Sequence, residues 1–152
     1  MKIGGVTVSQ HEEVLVLPRT DGDIVIKAAA VLSMDEFDAL CPQPEPPTKI
    51  TKNGKEKNFD AKNFVKSLEI WSERRYQYIC LKSLEPSMIE WDTVDLQVPA
   101  SWAKWTSELL EAGISQTEMN RIQQCILDAN ALNEAKLNQA REAFLRGQGK
   151  KA

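Results

Sequence analysis

Metal-binding residues are scarce in this sequence, which has one histidine, His11, and three cysteines, Cys41, Cys80 and Cys125, far apart and without a Cys-x-x-Cys pair. The common zinc spacings are therefore missing, and thiols so distributed are expected to stay free in a reducing compartment. No apolar run approaches the roughly 18 residues that a membrane span needs. Met1-Lys2-Ile3-Gly4-Gly5 lacks the apolar segment of a secretory leader. The expectation is a soluble, cytosolic protein with no membrane partner. Glycine-rich phosphate loops, Gly-x-Ser-x-Gly elbows and paired-histidine zinc motifs are also lacking. No catalytic residue, metal ligand or cofactor can be named, and binding outranks catalysis by elimination. The formal net charge of −3 argues against a general polyanion-binding domain.

What is present suffices for an ordinary core: 152 residues, 42% of them hydrophobic, can bury roughly two thirds of the unfolded surface. The stretch from Ser83 to Leu96 divides the pattern. Pro86 lacks an N–H and disfavours helix at Glu85, so the helix before it should stop near Leu84. Ile89-Glu90-Trp91-Asp92-Thr93-Val94 alternates apolar and polar residues, as an extended piece with one buried face would.

Upstream, Val14-Leu15-Val16-Leu17 and Ile24-Val25-Ile26 read as strands joined through Pro18 and Asp21-Gly22, with Ile3 to Val8 as a third. Ser33-Met34-Asp35-Glu36 has the capping-box pattern of a short helix bearing Phe37 and Leu40. Pro42 to Pro47 favours polyproline II and reads as a spacer. Asn53-Gly54 predicts a type I′ hairpin turn in a lysine-rich, exposed excursion. Asp60 is the expected N-cap of a helix running to Leu84, with Phe64, Leu68 and Trp71 on one face, followed by Tyr76, Ile79 and Cys80.

Downstream, Pro99 suits the first turn of a helix carrying Trp102, Trp105, Leu109 and Ala112. Gly113 should close it, with Ile114 folding back on Leu109 or Leu110. Ser115-Gln116-Thr117-Glu118 predicts a second capping box, opening a helix with Met119, Ile122, Ile126 and Ala129 on one face. A last helix from near Asn133 carries Leu137, Ala140 and Phe144. The expected fold class is α+β: a small N-terminal antiparallel β-hairpin or sheet, then a mainly α-helical C-terminal half. The expected parts are a β-rich region with a short helix (residues 1–41), a proline-rich linker and exposed hairpin (42–58), a helical domain (59–148) and a frayed tail (149–152).

Few residues invite a chemical role. His11 sits in a polar turn beside Glu12 and Glu13 and reads as a surface histidine. Glu85, Glu90, Asp92 and Asp95 could gather a magnesium ion, but their alternation with apolar residues makes them the wet face of an extended piece. Lys49, Lys52, Lys55 and Lys57 could meet phosphates, yet no aromatic is interleaved among them, and a solvated hairpin is the plainer account. Arg74-Arg75 beside Tyr76 and Tyr78 reads as a helix face with local ion pairs. The tryptophans remain. Core burial is the default for such rings, and surplus rings serve interfaces; Trp91, Trp102 and Trp105 are the candidate partner-binding residues.

Two stretches, Ser-Leu-Glu-Pro-Ser-Met-Ile-Glu-Trp-Asp-Thr-Val-Asp-Leu from Ser83 to Leu96 and the run from Asn130 to Gln148 ending Ala-Arg-Glu-Ala-Phe-Leu-Arg-Gly-Gln, resemble the tail assembly chaperones of long-tailed bacteriophages. Asp35 to Pro42 with its proline-rich continuation is similar too. The resemblance implies a non-enzymatic factor in the host cell cytoplasm, without a cofactor. Such a factor binds the tape measure protein, keeps it soluble, promotes polymerisation of the tail tube protein around it, and is missing from the mature virion. It also implies a possible partner in a frameshifted longer form of the same chain, since Gly149-Lys150-Lys151 can be encoded by a slippery run. The alternatives are a permanent neck or tail completion protein and, behind it, a nucleic-acid-binding regulator acting through Lys49 to Lys66.

Overall fold

The computed structural model describes residues 1–149. Its elements are β1 (Lys2–Ile3), β2 (Val6–Thr7), β3 (Glu12–Leu17), β4 (Ile24–Ala29), α1 (Asp35–Leu40), β5 (Thr48–Thr51), β6 (Gly54–Lys57), α2 (Lys62–Ser83), α3 (Trp105–Glu111), α4 (Gln116–Ala129) and α5 (Glu134–Gly149). Short 3₁₀ turns lie at Glu85–Ser87 and Pro99–Lys104. The class is α+β: short antiparallel strands in the N-terminal half and helices mostly in the C-terminal half. The expected frayed tail falls, from residue 150 on, outside the described residues.

The chain forms two compact units, each drawn from separated stretches: residues 1–32, 83–90 and 109 onward in the first, 33–82 and 91–108 in the second. The sequence reading divides the chain into consecutive parts, whereas these units draw on separated stretches. Trp71 Nε1 donates to Cys41 O at 3.1 Å, and Pro42 and Pro44 line a recess with Ile70 and Trp71, so the start of the proline-rich segment lies along α2 within the second unit.

In the first unit β3 and β4 pair antiparallel, with Leu17 opposite Ile24 and Leu15 opposite Ile26, and α4 packs on them. Leu17, Ile26 and Ala28, which share one face of the pair, are buried, as are Met119, Ile122 and Ile126 of α4 and Leu84. Ile3 to Val8 does not join this sheet; it folds on itself as the β1–β2 pair. The chain after Pro86 supports the outer side of β4 instead: Ser87 Oγ accepts from Lys27 N at 2.8 Å and donates to Lys27 O at 2.7 Å. One hydroxyl thus satisfies both polar groups of an edge residue. Asn130, just past α4, accepts from Val31 N at 2.9 Å and donates to Ser83 Oγ at 2.8 Å.

The second capping box forms as expected: Glu118 N donates to Ser115 Oγ at 3.1 Å and Ser115 N to Glu118 Oε1 at 3.0 Å. Gly113 takes φ +112°, and Ile114 N donates to Leu109 O at 3.1 Å, the left-handed stop predicted for α3. The first box does not form. Helix α1 starts at Asp35, too late for Glu36 to reach back, and Ser33 Oγ accepts only from Asp35 N, at 3.2 Å, in a local turn.

In the second unit four rings nest together. Phe37 lies 5.9 Å from Trp71, 5.5 Å from Tyr78 and 6.2 Å from Trp102, centroid to centroid. The Ile89–Val94 piece is irregular rather than a strand, and among the described residues no strand pairs with it. Glu108 holds it by accepting from Asp92 N and from Thr93 Oγ1, the latter at 2.7 Å. The hairpin β5–β6 also differs from expectation. Positive φ falls on Gly54 (+100°) and not on Asn53, whereas a type I′ turn needs it at both central residues.

Candidate interaction surfaces

The three candidate tryptophans separate on burial. Trp102 is fully buried and Trp105 nearly so; the Trp102 indole N–H donates to Asp95 O at 3.1 Å, so even its polar edge is spent inside the unit. In the folded chain both rings therefore belong to the core of the unit. Trp91 is half-buried and keeps part of its face in solvent.

The other polar candidates do not converge. Among the described residues no group of three or more histidine, cysteine, aspartate or glutamate side chains could hold a metal ion. Asp95 is turned onto its own loop, accepting from Gln97 N at 2.8 Å. His11 is exposed and pairs with Glu13 at 3.1 Å. All three cysteines are free and buried, and burial pushes the Cys80 thiol up to about 11, far from the thiolate needed of a nucleophile. Burial likewise pushes the Tyr76 phenol up to about 12.

Helix α5 is one of the places where the structure leaves apolar surface uncovered, as the outer face of β3–β4 does at Val14, Val16 and Val25. Every residue of α5 whose burial is described is exposed, including Leu137 (45%), Phe144 (62%) and Leu145 (51%). Leu137, Ala140 and Phe144 fall three and four residues apart and so share one face, with Leu145 beside them. Among the described residues, the side-chain hydrogen bonds that hold this helix lie at its root. Asp128 accepts from Lys136 Nζ at 2.7 Å, from Asn133 Nδ2 at 3.0 Å and from Gln124 Nε2 at 3.0 Å, while Asn133 Oδ1 caps the first turn by accepting from Lys136 N at 3.2 Å. The turn between α4 and α5 carries Ala131 at φ +54°, and Leu132 N donates to Leu127 O at 2.9 Å.

The periodicity of this stripe was visible in the sequence, whereas its exposure was not. An apolar face at helical spacing is ordinarily core, and only the tertiary structure shows α5 leaving the α4 floor. A smaller apolar recess lies on α2, lined by Phe59, Phe64, Val65 and Leu68 and bordered by Glu69 and Glu73. Comparison of the chain with protein-family models, with curated proteins and with solved structures finds no match.

Proposed function

We propose that the chain is a non-enzymatic tail assembly chaperone of a long-tailed bacteriophage, working in the host cell cytoplasm. It binds the tape measure protein, keeps it soluble and promotes polymerisation of tail tube protein around it. The observation that carries this reading is the uncovered stripe of α5. A lone helix of this length is marginal in water without tertiary packing, and its exposed leucines and phenylalanine represent roughly 3 kcal/mol of burial still to be gained. An amphipathic helix laid along such a stripe would supply that burial by helix-against-helix packing, and a tape measure protein is a long series of such helices. The phrases from Ser83 to Leu96 and from Asn130 to Gln148 that resemble this family add independent support.

The test is co-expression with the tape measure protein encoded by the same phage. Its soluble yield should rise with the wild-type chain and fall back with Leu137→Ser/Phe144→Ser. Mass spectrometry of purified mature particles should find the chain missing. A fixed copy number in every particle would replace this reading with the permanent neck or tail completion protein. Weighing all products of an N-terminally tagged gene with its native downstream DNA would identify a longer frameshifted form as a further partner.

A further inference from the structure

Six lysines lie between residues 49 and 66 of a chain whose overall charge is −3, and four of them sit on the β5–β6 hairpin. The pairing places Thr48 opposite Lys57 and Ile50 opposite Lys55. Because alternate residues of a strand share a face, Ile50, Lys55 and Lys57 stand together on one side of the hairpin, with Lys49 and Glu56 on the reverse. Ile50 is 88% exposed, the whole of β6 is exposed, and among the described residues no carboxylate forms an ion pair with Lys55 or Lys57. Among the described residues the hairpin pairs with no further strand, so both of its outer edges keep free backbone groups.

We propose that this hairpin is a docking strand pair for an extended acidic segment of a partner protein, in which acidic and β-branched apolar residues fall two apart and so share one face. Such a segment adds to an open edge through main-chain hydrogen bonds. Its carboxylates meet Lys55 and Lys57, and its apolar side chains cover Ile50. The chemistry favours a polypeptide over a nucleic acid. An exposed isoleucine at the centre of the face offers nothing to a phosphate backbone, the hairpin has no aromatic ring for a base to stack on, and lysine point charges lack the paired donors that arginine gives phosphates. This proposal stands apart from the α5 reading, as the two surfaces share no residue.

The experiment titrates the full chain into three fluorescent probes at low and moderate salt: the peptide Glu-Thr-Val-Thr-Glu-Thr-Val-Thr-Glu, whose acids and valines alternate along one face, a scrambled peptide of the same composition with its acids in one block, and an oligothymidylate of similar charge. The alternating peptide should bind best. Lys55→Glu/Lys57→Glu should weaken it by about tenfold or more, the reversal of two exposed ion pairs, and Ile50→Ala by a few-fold, with unchanged thermal melts because all three positions are exposed. Equal binding of the scrambled peptide, tighter binding of the oligothymidylate, or no binding of the alternating peptide would each overturn the proposal.

Discussion

Ala131 holds a left-handed backbone conformation that costs an L residue about 1–2 kcal/mol and glycine little. Ala131→Gly should therefore raise stability by about 1 kcal/mol in denaturant unfolding, despite adding no contact. A destabilised variant would mean that a Cβ contact outweighs the strain. At Trp102 the opposite holds. The ring is wholly enclosed among Phe37 and Tyr78 and its N–H is satisfied, so Trp102→Ala should cost about 3–5 kcal/mol through cavity formation. If the variant melted like wild type while losing a partner, the burial assigned to this ring would be wrong. Trp91, half-exposed, is the only one of the three tryptophan candidates whose substitution can test binding without first testing folding.

Among the elements, α4 and α5 make a controlled pair, since both carry apolar residues at helical spacing but only α4 buries them. Amide hydrogens of α5 should exchange much faster than those of α4 when followed by mass spectrometry, and binding of a helical client should slow them. Phe144→Ala should leave unfolding free energy within about 0.5 kcal/mol of wild type and weaken client binding by about tenfold. Ser115→Ala removes the hydroxyl that caps α4 and should cost about 1 kcal/mol. Its effect on client binding should be small, because the cap lies at the far end of α4 from the root of α5.

For the whole molecule, acid is the informative perturbation. Hydrogen bonds from the Arg19 guanidinium, at 2.8 Å to each oxygen, together with Ser115 N, hold the Glu118 carboxyl down to about 2 from its ordinary 4.5. The Glu108 carboxyl is lowered as well, chiefly by the backbone N–H of Asp92. A carboxylate whose folded pKa lies below its unfolded value contributes fully above the unfolded value, and that contribution is lost as pH falls through the folded one. Thermal melts should thus decline as pH drops from about 4.5 towards about 2, and Glu118→Gln should flatten that decline while lowering the plateau at neutral pH. An acid profile unchanged by the substitution would show that the Arg19 pair is not maintained in solution.

Sequence alone determined the features that depend on a few neighbouring residues. The Ser115–Glu118 box, the Gly113 stop, the break at Pro86 and the apolar periodicity of α4 and α5 all follow from backbone groups that must be capped and from side chains three or four apart. The mainly helical C-terminal half was legible for the same reason. Tertiary structure decided what those faces met. It drew each compact unit from distant stretches, tied Cys41, just before the proline-rich segment, to α2 through Trp71, kept Ile3 to Val8 out of the main sheet, and enclosed two tryptophans that composition alone allowed at an interface. Periodicity states that a face is apolar, but burial is a property of the whole packing, and it left the stripe of α5 uncovered.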